Sequence, residues 1–181
     1  MSGEPIARVP APGTVGATGV YLFENRPESR LKQGIYAELR RDFSGKVLQL
    51  DYRYSTDDWE VDSHTLESRL RWPLGASNYL EPHVRYYTQS AASFYQYSLA
   101  AGAPLPRFAS ADARLADMDA VTVGLKFGHT TVGGNEWNAR LEFYRQTAKP
   151  PADRLIGAQV GNVQMPDFDA VILQFGYHFT L

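Results

Sequence analysis

Apolar and polar side chains alternate along most of this chain with a period of two. Over 33–43, Ile35, Ala37, Leu39 and Phe43 fall on one side and Tyr36, Glu38 and Arg40 on the other, with Arg41 breaking the apolar row. Over 46–54, Leu48, Leu50, Tyr52 and Tyr54 oppose Gln49, Asp51 and Arg53. Over 63–72, Leu66, Leu70 and Trp72 oppose Thr65, Glu67, Arg69 and Arg71. Over 79–89, Leu80, Pro82, Val84 and Tyr86 oppose Glu81, His83, Arg85 and Tyr87. The runs 120–128 and 136–146 repeat the pattern, the second setting Trp137, Ala139, Leu141 and Phe143 against Asn138, Arg140, Glu142 and Tyr144. At the end of the chain Val171, Leu173, Phe175, Tyr177, Phe179 and Leu181 oppose Gln174, Gly176, His178 and Thr180, with Ile172 the exception. Side chains alternate across a strand, whereas a helix needs apolar spacings of three and four. With a short, poorly alternating run at 19–25, the pattern predicts about eight strands.

The connections carry a second pattern. Counting back from Leu181, the joints at 129–135, 73–78 and 44–45 are short and carry Gly, Asn or Ser. Those at 147–167, 90–119 and 55–62 are longer, and that at 26–32 equals the longest of the short ones. Short periplasmic turns alternating with long outer loops, and strands of about nine to eleven residues, are features of membrane barrels. The expected fold is all-β, an antiparallel up-and-down transmembrane β-barrel over 19–181 behind an irregular segment 1–18. Trp72, Tyr79, Trp137, Tyr177 and Phe179 would form one aromatic girdle, and Tyr52, Tyr54, Tyr86, Phe143 and Phe168 the other.

The last residues read polar at Gln174, glycine at Gly176, aromatic at Phe179 and apolar at Leu181. This resembles the C-terminal signal by which Gram-negative outer-membrane barrels are handed to their assembly machinery. The stretches LDYRYSTDDWEVDSHTLE at 50–67, EPHVRYYTQSAASFY at 81–95 and ENRPESR at 24–30 add to it. From about residue 24 to 181 the chain resembles the C-terminal half of an uncharacterised family of Gram-negative outer-membrane proteins, a domain of unknown function. The resemblance implies a barrel in the bacterial outer membrane, with lipid and the assembly machinery as partners. It implies no chemistry.

Composition narrows the field. A net charge of −2 gives no electrostatic case for nucleic acid. Zero cysteines leave no disulfide framework and no thiolate metal site. The start, Met1-Ser2-Gly3-Glu4-Pro5, lacks the basic and apolar regions of a leader, so the chain reads as part of a longer exported barrel.

Three groups of residues bear on function. Asp51, Arg53, Glu67, Arg69, Arg71, Glu81, His83, Arg85, Arg140 and Glu142 are expected to line the lumen. One register allowed by the alternation pairs Arg71 with Glu81 and Glu67 with Arg85. Asp57, Asp58, Glu60 and Asp62, with His64 just below, form an acidic outer loop. Oxygen-rich loops can hold a divalent cation, but this spacing matches no EF-hand, and charge runs are usually solvated; no metal or other cofactor is assigned. Asp62-Ser63-His64 invites a hydrolase reading, but neighbours on a strand point to opposite faces, so no catalytic residue is assigned. The expected role is non-enzymatic: passage or binding of a small solute, or an outer-membrane scaffold. An outer-leaflet enzyme acting on lipid or lipopolysaccharide, using His64, and a soluble β-sandwich binding module are the alternatives.

Overall fold

A computed structural model of the chain describes residues 5–9, 22–100, 103–149 and 165–180. Its strands are β1 (Pro5–Val9), β2 (Leu22–Phe23), β3 (Lys32–Phe43), β4 (Lys46–Asp57), β5 (Ser63–Leu74), β6 (Asn78–Gln89), β7 (Ser98–Ala100), β8 (Met118–Thr130), β9 (Glu136–Ala148) and β10 (Asp167–His178). The fold is all-β. Seven long strands form one antiparallel sheet in the order β10-β9-β8-β6-β5-β4-β3, an up-and-down meander in which β7 is part of a loop. A second sheet has the order β2-β1-β7.

The short joints follow from their sequences. Ser44 and Gly45 both have positive φ, at 53° and 81°, the conformation of a tight two-residue hairpin. Asp42 Oδ1 closes that turn by accepting from the Gly45 N–H at 3.2 Å. Gly75 and Gly134, at φ 71° and 83°, serve the other two turns at the same end of the sheet. All the long loops leave from the opposite end.

The meander therefore has seven strands, one fewer than the candidates in the sequence. Among the described residues of the run 19–25, Leu22–Phe23 alone is a strand, and it pairs with β1 instead of β3. Segment 1–18, expected to be irregular, contributes β1, which also pairs in parallel with β7. The seven strands run 12 or 13 residues, longer than their alternating cores, because polar residues near the loops join the ladder too.

The two faces differ sharply. The apolar face stays uncovered across the sheet: Ile35 is 70% exposed on β3, Leu125 48% on β8 and Phe175 78% on β10. Burial is concentrated elsewhere. A hydrophobic cluster of Val61, Ala92, Phe94, Tyr95, Leu115 and Ala116 lies among the long loops, with Trp59, Phe108 and Met165 packed on it. The described loop residues thus form a cap with its own core. Tyr79 and Phe168, expected in the girdles, are on the polar face: Tyr79 is buried opposite Gly128, and Phe168 pairs with Gln146. Their parity decides this, since a strand residue faces the same way as its cross-strand partner. Among the described residues nothing pairs with the outer edges of β3 or β10, so the sheet is an open arc.

Candidate functional site

The polar face carries a chain of charges centred on His83. The ladder sets Gly124 and then Glu142 beside His83 on one side, and Arg69 and then Gln49 on the other. Gly124 has no side chain, so Glu142 reaches over β8 from β9. Its Oε1 lies 3.2 Å from His83 Nδ1, and Glu67 Oε1 lies 3.2 Å from His83 Nε2. Neither contact has hydrogen-bond alignment, so both ring nitrogens, like Arg69 Nε, are buried without a hydrogen-bond partner. Glu67 also ion-pairs with Arg69, and Arg140 contacts Glu142 at 3.3 Å and Glu81 at 3.7 Å.

All ten residues expected to line the lumen share this face. Their pairing differs from the simplest cross-strand scheme. Glu67 does stand opposite Arg85 in the ladder, but its carboxylate turns to Arg69 and His83. The flanking pairs Arg69–His83 and Trp72–Leu80 place Arg71 opposite Glu81. Even so, Arg71 reaches Glu136 at 3.8 Å and lies 3.5 Å over the Tyr79 ring. Long side chains on one face can bond along the strand or diagonally as readily as straight across. Asp51 accepts hydrogen bonds from Tyr36 at 2.6 Å and from Gln49 at 3.1 Å. Arg53 lies over the Tyr36 ring at 5.7 Å. Between the charge chain and the cap is a cavity of about 600 Å³, which includes Glu67, Arg69, His83, Arg85, Arg140 and Glu142 in its walls.

The acidic loop is organised differently. Asp57 takes an ion pair from Arg30 at 2.6 Å, and its Oδ1 accepts from the backbone N–H groups of Trp59 and Val61. Asp58 accepts from the Leu31 N–H at 3.0 Å, and Asp62 from the Tyr54 hydroxyl at 2.8 Å. Glu60 occupies a turn position at φ 64°. These carboxylates hold the loop's shape and do not converge: among the described residues no group of three or more His, Cys, Asp or Glu could hold a metal ion. His64 is on the apolar face, with Nδ1 2.8 Å from the Tyr52 hydroxyl and its ring 5.1 Å from that of Tyr54. Ser63 points the other way and hydrogen-bonds Ser55 at 3.2 Å.

Residues 6–179 match the model of a family described as "Protein of unknown function (DUF3570)". The chain belongs to the DUF3570 family. Comparison with curated proteins and with solved structures gave no match.

In this DUF3570 chain one of the residues read as an assembly signal, Gly176, has a packing role. Gly176 leaves room for the Asn138 side chain, whose Oδ1 would sit 2.9 Å from an added Cβ. Gln174 stands opposite Arg140, and Phe179 is exposed. Leu181 lies outside the described residues.

Sequence reasoning missed the ionic knot of the cap. Arg26 donates to Glu24 at 2.7 Å and to Asp112 at 2.9 Å, while Arg114 binds Asp112 at 2.7 Å. The Ser110 hydroxyl donates to Glu24. Burial works against the Asp112 charge, but the hydrogen bonds from Arg114 and Arg26 outweigh it and hold its pKa down at about 2. The stretch 24–30 held the signal, since its Glu24 and Arg26 are both used here.

Proposed function

We propose that the seven-stranded sheet is an arc of an outer-membrane β-barrel whose interior binds or passes a small charged solute. One observation carries this: seven strands of 12 or 13 residues leave their apolar face uncovered while charges fill the other. A soluble sandwich would bury that apolar face against a second layer. In lipid the same face is the favourable one, and the charges belong inside. At about 3.3 Å per residue and a tilt near 45°, such strands span roughly the hydrocarbon thickness. The open edges of β3 and β10 must then be met by further strands, because unpaired backbone is not tolerated in hydrocarbon. The capping loops restrict one mouth, and the His83 chain of charges lies in the path beneath them. The role is non-enzymatic.

The chain's three tryptophans provide the test. Trp72 and Trp137 sit on the apolar face near the short turns, and Trp59 sits in the cap. Single-tryptophan variants folded into vesicles of brominated phospholipid should show quenching at Trp72 and Trp137 and none at Trp59. A chain that stays monomeric in detergent-free buffer and ignores the vesicles would overturn the proposal.

A further inference from the structure

We propose that the cavity above β5, β6, β8 and β9 is a binding site for a small free oxyanion, a carboxylate or phosphate, with Arg85 as its anchor. This rests on reading the polar face as a water-filled interior. Four arginines and two glutamates stand in the cavity wall. Both glutamates are engaged: Glu67 by Arg69 and His83, Glu142 by Arg140 and His83. Arg114 is held by Asp112. Arg85 is the cation left over, since Glu67 opposite it has turned away and no ion pair to Arg85 forms among the described residues.

Arg85 also lines a smaller hollow of about 100 Å³, shared with Arg53. Arg53 has the Tyr36 ring as a neighbour and no carboxylate partner among the described residues. Two guanidiniums that form no ion pair among the described residues thus line one hollow, and the carboxylates beside them are taken up elsewhere, Asp51 by Tyr36 and Gln49 and Glu67 by Arg69 and His83. A guanidinium presents a planar fork of donors that matches a carboxylate or phosphate with two parallel bonds. Arg69 and His83 in the same wall add buried polar atoms without a hydrogen-bond partner, Arg69 Nε and the two ring nitrogens. A cation would meet an excess of positive charge, four arginines against two glutamates.

The test is calorimetric titration of the detergent-folded chain with inorganic phosphate and, separately, succinate, at constant ionic strength with chloride as the reference anion. Binding of either, weakened about tenfold or more in Arg85→Gln as expected for one lost charge-assisted hydrogen bond, is the predicted result. Arg85→Lys should retain part of the affinity, and Arg145→Gln on the apolar face should retain all of it. Folding of each variant is checked by heat-modifiable migration. Folded wild type that binds neither anion, or binding that Arg85→Gln leaves unchanged, would overturn the site. Insertion into the brominated vesicles is read separately, so a chain that inserts but binds no anion removes only the site. A chain that binds but never inserts removes only the barrel.

Discussion

His83 and Glu142 meet at 3.2 Å although a whole strand separates them, and they do so because residue 124 between them is glycine. A Cβ there would stand 2.7 Å from Glu142 Cγ and 3.2 Å from the Leu141 carbonyl. Gly124→Ala should therefore push Glu142 off His83 and destabilise the fold. In a Glu142→Ala background the same methyl has no Cγ to strike, so its cost should fall. The expected coupling is about 0.5–3 kcal/mol, the usual range for contacting residues. Urea unfolding of the four proteins in detergent measures it, and simple additivity would mean that the glycine is not what sets this contact.

Gly128 performs the same service two inward positions further along β8. The Tyr79 ring lies across it, with carbon atoms 2.2 Å from where a Cβ would be, and donates from its hydroxyl to Glu136 at 2.6 Å. The Arg71 guanidinium lies over the ring at 3.5 Å. Gly128→Ala should cost about 1–3 kcal/mol through overpacking against a rigid ring. Tyr79→Phe loses only the hydroxyl bond and should cost about 1 kcal/mol. Equal midpoints for Gly128→Ala and wild type would show that the ring moves aside freely.

The sheet was legible in the sequence because period-two alternation is a property of each strand taken alone. Turn residues such as Gly45 and Gly134 fixed where strands end. The polar-face residues were legible for the same reason, as parity assigns a face without any knowledge of neighbours. Their partners were not. Whether Glu67 turns to Arg85 or to Arg69 and His83 depends on side-chain reach along β5 and across to β6, which parity does not set. Tyr79 was misplaced because an aromatic near a strand end suits a girdle equally well, and only its oddness in β6 argued otherwise. The cap was the least legible part. Its core joins Val61, Phe94 and Leu115 from separate loops that have no periodicity to read.

Val123 separates a membrane-facing sheet from a soluble one. It lies mid-strand on the apolar face and is 49% exposed. In water a substitution at so exposed a site changes stability by about 0.5 kcal/mol or less. Facing the bilayer midplane, arginine costs roughly 2–4 kcal/mol. Val123→Arg should therefore unfold from vesicles at clearly lower urea than wild type. Unchanged stability would remove the lipid from this face.

Asp112 makes the cap sensitive to acid. Its folded pKa of about 2 lies below the ordinary value of 3.8, so the folded state favours the charged carboxylate. The stabilisation it supplies is complete above the unfolded pKa and is lost as pH falls through about 4 towards 2. Below that range Asp112 offers no charge to Arg26 and Arg114, and the tie between residues 24–26 and the 107–115 loop weakens. Trp59 packs edge-on against Phe94 at 5.1 Å inside the cap core and reports on this region. In a Trp72→Phe, Trp137→Phe background its emission should shift to the red between about pH 4 and pH 2, within the window that the linkage sets. Asp112→Asn should be red-shifted already at neutral pH and should lose most of that acid transition. Matching pH profiles for the two proteins would show that the carboxylate contributes nothing to holding the cap.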